Sequence, residues 1–131
     1  MTKVLIFGTF DKLHKGHIYF IRKASEIVSD AVLYIVVARD ENVRKLKNKE
    51  PRDNEITRLM NVYMLGIAKK VILGDNNDFF FAIKEHKPDI ICLGYDQEDQ
   101  GLAEYIKKHK LKINVIKIDA FEPETYKSSK L

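Results

Sequence analysis

The sequence predicts an α/β fold, in which five parallel strands form one doubly wound sheet with helices on both faces. Short apolar runs alternate with amphipathic segments along the whole chain, which is the pattern of consecutive strand–helix units. The runs 31–38 and 90–93 are continuously apolar rather than alternating, as in strands that are covered on both faces. With 131 residues the chain has the size of one domain, which we expect to span 1–131.

The N-terminal half begins with a strand over Val4–Phe7 and a helix over 16–29, whose apolar residues fall on one side. A second strand is predicted over Ala31–Ala38. The lysine-rich segment 39–51 has neither helical nor strand periodicity, so we expect a mobile loop there. Apolar residues then recur at helical spacing between Ile56 and Ile67, which predicts a helix.

The C-terminal half continues the alternation to a fifth strand. A helix that contains Phe79 and Ile83 is expected to end before Pro88, because a residue that precedes proline disfavours helical geometry. The other elements are predicted as strands over Lys70–Leu73, Asp89–Leu93 and Ile113–Ile118 and a helix over 98–110.

Composition and charge narrow the class of partner. The net charge is +4, and basic residues cluster over 44–52 and 107–112 without interleaved aromatic residues. We therefore expect a small polyanion such as a nucleoside triphosphate at the first cluster, and no nucleic acid. No apolar run approaches the roughly 18 residues of a membrane span, and no signal peptide is visible, so we expect no membrane partner. A single cysteine, Cys92, in an apolar run fits a buried thiol and a cytoplasmic protein.

The turn after the first strand carries the strongest chemical signal. Two histidines, His14 and His17, flank Gly16 where a helix is predicted to begin. A helix start offers free N–H groups and a positive dipole end to a phosphate, and imidazole donors can follow charge that develops on a phosphoryl group. No cysteine or third ligand stands nearby, which disfavours a metal site. We therefore predict a phosphate site with both histidines as catalytic residues.

Polar segments also follow the other strands, and the carboxyl ends of parallel strands form the ligand site of such a sheet. Asp96 follows the fourth strand and is a candidate to bind ribose hydroxyls or a base amine. Ser128 and Ser129 follow the last strand, where they either cap a helix and hold phosphate or belong to a frayed terminus.

Two cationic groups are further catalytic candidates. Lys45, with Lys47 and Lys49 near it, is placed to attract a triphosphate, although a solvated loop explains these lysines equally well. Arg58 lies among apolar neighbours and suits either a phosphate or a salt bridge with Glu55.

Three residues of the first turn are also candidates, and two of them keep two interpretations each. Thr9 offers a hydroxyl and backbone groups to a phosphate, and Phe10 either contacts the ligand or packs in the core. Asp11 either orients the loop or approaches Mg²⁺.

The string G-T-F-D-x-x-H-x-G-H over 8–17 resembles the signature of the cytidylyltransferase-like nucleotidyltransferases. The resemblance implies a Rossmann-like fold, Mg²⁺ that accompanies the nucleotide, and a homodimer. It also implies that His14 and His17 contact the triphosphate and stabilise the transition state. In this chemistry a phosphorylated acceptor attacks a nucleoside triphosphate, ATP or CTP, and pyrophosphate leaves.

Two further strings, 87–97 and Y-K-S-S-K over 126–130, are similar to the archaeal FAD synthases. This narrower resemblance implies FMN as the acceptor and ATP as the donor. The alternative is a cytidylyltransferase that makes a CDP-alcohol from glycerol 3-phosphate or from another phospho-alcohol or sugar phosphate. The R-T-x-G-I-S-T-T ending of the glycerol-3-phosphate cytidylyltransferases is absent, which disfavours this alternative. A nucleotide-binding module without activity is the non-enzymatic alternative. By resemblance the residues that contact ATP are Thr9, Phe10, His14, Lys15, Gly16, His17, Asp96 and Tyr126.

Overall fold

A computed structural model describes residues 1–121, and in it the chain forms a five-stranded sheet in the order β3-β2-β1-β4-β5. All four neighbouring strand pairs are parallel. The strands are β1 (Thr2–Gly8), β2 (Ala31–Val37), β3 (Lys70–Leu73), β4 (Ile90–Leu93) and β5 (Asn114–Lys117). The helices are α1 (Lys15–Ser25), α2 (Asp40–Lys47), α3 (Glu55–Tyr63), α4 (Phe81–His86) and α5 (Leu102–Lys108).

Each face of the sheet has its own apolar core, because side chains alternate along every strand. Val4 and Ile6 of β1 pack with residues of α1 and α3, whereas Leu5 and Phe7 pack with residues of α4 and α5. The predicted fold class, a Rossmann-like parallel sheet with helices on both faces, is confirmed.

The strand order reverses beside β1. The chain runs from β1 outward to β2 and β3 and then returns to place β4 on the other side of β1. In a doubly wound sheet the ligand crevice opens where the order reverses, at the carboxyl ends of the strands. The turns after β1 and β4 therefore border the crevice.

The segment 39–51, predicted as a loop, contains helix α2 instead. Its apolar contribution is small, since Val43 is the one buried residue of the helix, and this is why periodicity does not detect it. Other signals favour the helix. Asp40 and Glu41 stand in the first turn, three basic residues stand in the last, and Asn48 ends it in the left-handed conformation.

Over 1–121, no helix combines the length and the apolar character needed to cross a membrane.

Candidate active site

His14 and His17 lie side by side in the first turn of α1. His14 is the N-cap residue, and its Nδ1 accepts a hydrogen bond from the Gly16 N–H at 3.1 Å. His17 Nδ1 accepts one from the His14 N–H at 3.2 Å, and the two rings stack with centroids 3.8 Å apart. Because each Nδ1 is an acceptor, this hydrogen-bond pattern assigns the proton of each neutral ring to Nε2. Both imidazoles thus keep an Nε2–H donor for a ligand.

The electrostatic surroundings of His17 keep its ring neutral. Burial, followed by the charges of His14 and Lys47, lowers the pKa of His17 to about 4, while Asp11 and Asp96 act in the opposite direction. These charges come from the turns after β1 and β4 and from the end of α2, so three segments converge around this ring. A bound triphosphate adds negative charge, which favours protonation of the imidazole.

The turn that leads to the histidines is packed tightly. Phe10 has a φ of 54° and is buried, and its ring contacts the His17 ring edge-on at 5.7 Å. A Cβ at Gly8 would lie 2.6 Å from the Phe10 ring, so glycine is required where this ring folds back. A Cβ at Gly16 would lie 3.0 Å from the His14 ring. Of its two interpretations, the structure gives Phe10 the core-packing one.

Arg58 holds this turn from inside the protein. Its side chain is 0% exposed, and Nη1 donates to the carbonyl oxygens of Thr9 at 2.8 Å and Ala38 at 2.7 Å. Nε donates to the Asp53 carbonyl, and Nη2 pairs with Asp40 at 2.6 Å. These contacts join the turns after β1 and β2 to the start of α3. The geometry is that of a positioning residue, and it differs from both the phosphate contact and the Glu55 pair expected from sequence.

Asp11 fixes the same turn from the other side. Its two carboxylate oxygens accept the Arg52 and Asp53 N–H groups, each at 2.8 Å. Burial raises the pKa of Asp11, but these hydrogen bonds, with the charges of Arg58 and Lys47, bring it below its ordinary value. The observed role is the orienting one of the two proposed from sequence.

The remaining described candidates lie around this turn. Lys45 is exposed on α2, where its Nζ is 3.5 Å from the Glu41 carboxylate, a surface pair of little net stability. Lys15 is the exposed first residue of α1, and Asp96 is exposed in the turn after β4. Thr9 lies in the turn itself and is half-buried.

Tyr126, Ser128 and Ser129 fall outside the described residues. Within residues 1–121, no three His, Cys, Asp or Glu side chains lie close enough together to hold a metal ion.

Gln97 belongs to the polar segment that follows the fourth strand, but the sequence does not assign it the role that the structure shows. Its Oε1 accepts the Gly94 N–H at 2.7 Å, and its Nε2 donates to the Phe7 carbonyl at 2.8 Å. The side chain thus bridges the carboxyl ends of β1 and β4, where the strand order reverses. The available signal is an amide side chain four residues after the end of a buried strand.

A cavity of about 270 Å³ adjoins the turn after β1. It lies at the carboxyl ends of β1, β2 and β3, and residues of α2 cover one side of it. Gly8 lines this cavity and directly precedes the turn that carries the histidines.

Known proteins resemble this chain in both sequence and fold. A family model described as cytidylyltransferase-like matches residues 5–131. An FAD synthase of Methanosarcina barkeri is 43% identical over 120 residues, which are 90% of this chain and 84% of the relative. An FAD synthase of Archaeoglobus profundus is 41% identical over 131 residues, with 98% of this chain and 82% of the relative covered.

Solved structures agree on the architecture. A lipopolysaccharide core biosynthesis protein from Thermoplasma volcanium superposes with a TM-score of 0.84 at 34% identity, over 92% of this chain and 98% of that protein. A pantothenate synthetase from Thermus thermophilus shares the fold alone, with a TM-score of 0.64 at 12% identity over 98% of this chain and 64% of that one. On the family model, the relatives and the histidine pair at the start of α1, the chain belongs to the cytidylyltransferase-like family and is a nucleotidyltransferase.

Proposed function

We propose that this nucleotidyltransferase is an FMN adenylyltransferase, which joins ATP and FMN to give FAD and pyrophosphate. The observation that carries the choice of substrates is the pair of FAD synthases that are 43% and 41% identical over 90% and 98% of the chain. The geometry of the site supports nucleotide binding, because its hydrogen-bond donors suit phosphates and its crevice lies at the carboxyl ends of the strands.

In this reaction the protein positions the two substrates and stabilises the negative charge of the transition state, and it forms no covalent bond with either substrate. A phosphate oxygen of FMN attacks the α-phosphorus of ATP, the bond from that phosphorus to the bridging oxygen of the β-phosphate breaks, and pyrophosphate departs with the electron pair. The attacking phosphate is already ionised at neutral pH, so no general base is needed. The Nε2–H groups of His14 and His17 stabilise charge as it grows on the phosphoryl oxygens.

Other residues share the binding of ATP in this proposal. Lys47, whose charge acts on His17, offsets charge on the leaving pyrophosphate. Asp96 binds the ribose or the adenine amine. Mg²⁺ enters with the triphosphate, since protein sites usually hold this ion through substrate phosphates and one or two carboxylates. The tail residues Tyr126, Ser128 and Ser129 complete the ATP contacts.

We also propose that the protein is a cytoplasmic homodimer. Four large apolar side chains are exposed along one side of α3 at helical spacing, and such a stripe favours burial against a second copy. They are Ile56, Met60, Tyr63 and Met64. The buried, un-ionised thiol of Cys92 fits a reducing compartment.

Pyrophosphate release in the presence of Mg²⁺ tests the proposed substrates, with ATP and CTP each combined with FMN and glycerol 3-phosphate. We expect release only from ATP with FMN. Release only from CTP with glycerol 3-phosphate would contradict the proposal and make the chain a CDP-alcohol-forming enzyme.

A further inference from the structure

We infer that the cavity beside β1 is the binding site for a flat heteroaromatic ring of the acceptor, with Phe79 as the surface on which the ring stacks. This inference rests on the proposed function, because FMN is the acceptor that brings such a ring. The cavity is separate from the helix start that carries the histidines, and both border the carboxyl end of β1.

The size of the cavity fits part of a ligand. Pockets for whole small molecules usually measure about 300–1,000 Å³, and this one measures about 270 Å³. A complete dinucleotide does not fit such a space. One ring system fits, with the rest of the acceptor extending toward the histidines past Gly8, which lines the cavity.

The lining matches a ring that is apolar on its faces and polar along one edge. Phe7, Val36, Leu46 and Phe79 supply apolar surface. Asn76, Asn77 and Gln100 also line the cavity, and a side-chain amide can act as both donor and acceptor. An isoalloxazine ring has flat apolar faces and an edge that carries both carbonyl groups and an N–H group. Glycerol phosphate offers nothing for the apolar wall to cover.

Phe79 is held in place although its ring is 41% exposed. The ring stacks on Phe7 with centroids 5.0 Å apart and meets Phe80 edge-on at 5.2 Å. The turn that carries it is fixed by Asp75, whose Oδ2 accepts the N–H groups of Asn77 and Asp78, each at 2.8 Å. An aromatic face that is open to a cavity and fixed on its other side is a preorganised stacking surface.

Lys45 places a positive charge at the same cavity. Its pair with Glu41 at 3.5 Å is exposed, so an acceptor phosphate can replace the carboxylate at small cost. The cavity thus combines a ring site with a cation for the phosphate that the ring carries.

The test compares Phe79→Ala with Phe81→Ala. Phe81 is 47% exposed at the start of α4 and does not line the cavity, so the control removes the same side chain from a neighbouring position. FMN binding is followed by quenching of flavin fluorescence, with a non-hydrolysable ATP analogue present. The KM values for FMN and ATP are measured in parallel.

We expect Phe79→Ala to raise the Kd and the KM for FMN by about tenfold or more, as for loss of an aromatic stacking partner, and to leave the KM for ATP unchanged. Phe81→Ala should bind FMN as the wild type does. Phe79→Trp, which keeps a flat ring, should retain binding, and circular dichroism checks that all variants fold. If Phe79→Ala does not fold, Phe79→Leu takes its place in the test. This variant keeps an apolar side chain without a ring and should also weaken FMN binding.

Two other outcomes overturn the inference in distinguishable ways. In the first outcome, the wild type makes FAD, and folded Phe79→Ala or Phe79→Leu binds FMN as the wild type does. This result would place the ring elsewhere and leave the proposed function intact. Wild type that neither binds FMN nor makes FAD would overturn the proposed function itself, and the ring site with it.

Discussion

The two histidines at the start of α1 differ from ordinary surface histidines in how their rings are fixed. Each ring turns Nδ1 to a backbone N–H group, which leaves the Nε2–H groups of His14 and His17 for a ligand. The neutral state of His17 carries a consequence for folding. Its pKa is about 4 in the folded protein against 6.5 ordinarily, so the unfolded chain binds more protons between these pH values.

The free energy of unfolding should therefore rise from about pH 4 to about pH 6.5, because over this range His17 holds a proton in the unfolded chain and not in the folded protein. The same contribution should be lost as the pH falls from about 6.5 to about 4. We expect the Tm of the wild type to drop more between pH 7 and pH 5 than the Tm of His17→Gln, which has no titratable ring. Thermal unfolding by circular dichroism at both pH values measures this. Equal drops in the two proteins would contradict the assigned pKa.

The predictability of single residues depends on how local their contacts are. The histidine pair could be predicted, because the helix start, the glycine and both rings lie within one turn of sequence. The role of Arg58 could not be predicted, because the carbonyl groups that it binds are far apart in the sequence. One follows β1, one follows β2 and one precedes α3, and only the fold brings them together. The link that Gln97 makes between β1 and β4 depends on the sheet order for the same reason.

Among the elements, α3 determines the position of the active-site turn through Arg58. The guanidinium is fully buried and paired with Asp40 at 2.6 Å. Removing one partner of a buried ion pair leaves the other uncompensated and costs about 3–5 kcal/mol. Asp40 keeps some exposure to water, which reduces this cost.

We expect Arg58→Met to lower the free energy of unfolding by about 3 kcal/mol and to reduce turnover, because the Thr9 carbonyl loses its donor. Arg44→Met is the matched control. Arg44 pairs with Glu50 at 3.1 Å on the surface, and such a pair is worth about 0–1 kcal/mol. Urea unfolding measures both variants, and similar losses in the two would show that Arg58 does not hold the turn.

Strands were easier to predict than helices in this chain. The strand predicted over Asp89–Leu93 matches β4 to within one residue, because a strand that is buried on both faces is a continuous apolar run. The bounds predicted for Lys70–Leu73 are those of β3, although this strand lies at the edge of the sheet and none of its residues is fully buried. α2 was missed since it buries little, and the helix over 16–29 ends earlier than predicted, at Ser25. Helices that contribute few apolar residues to the core are specified by their capping residues and by charges at their ends. The periodicity of apolar residues contains no information about either.

For the whole molecule, the exposed apolar stripe on α3 is the feature that a single copy leaves unexplained. Ile56, Met60, Tyr63 and Met64 all expose much of their side chains. A homodimer that buries this stripe would convert exposed apolar area into association free energy, at roughly 25 cal/mol per Å² before the costs of association.

For the proposed dimer, Met64→Glu should shift the mass from that of two copies to that of one in light scattering coupled to size-exclusion chromatography, because a charge would be buried at the interface. A wild type with the mass of one copy would contradict the proposed dimer. Leu46→Glu, on exposed surface of α2, should leave the mass unchanged. A dimer that persists in Met64→Glu would place the interface elsewhere.

The measurement that tests the central claim most directly is turnover of ATP and FMN by the wild type, His17→Ala and His109→Ala. His109 is an exposed histidine at the end of α5, so its variant controls for loss of an imidazole as such. We expect equal amounts of FAD and pyrophosphate from the wild type and from His109→Ala. Turnover by His17→Ala should fall by about a hundredfold or more, as for loss of a transition-state donor. Wild-type turnover that His17→Ala retains would contradict the active site described for this chain.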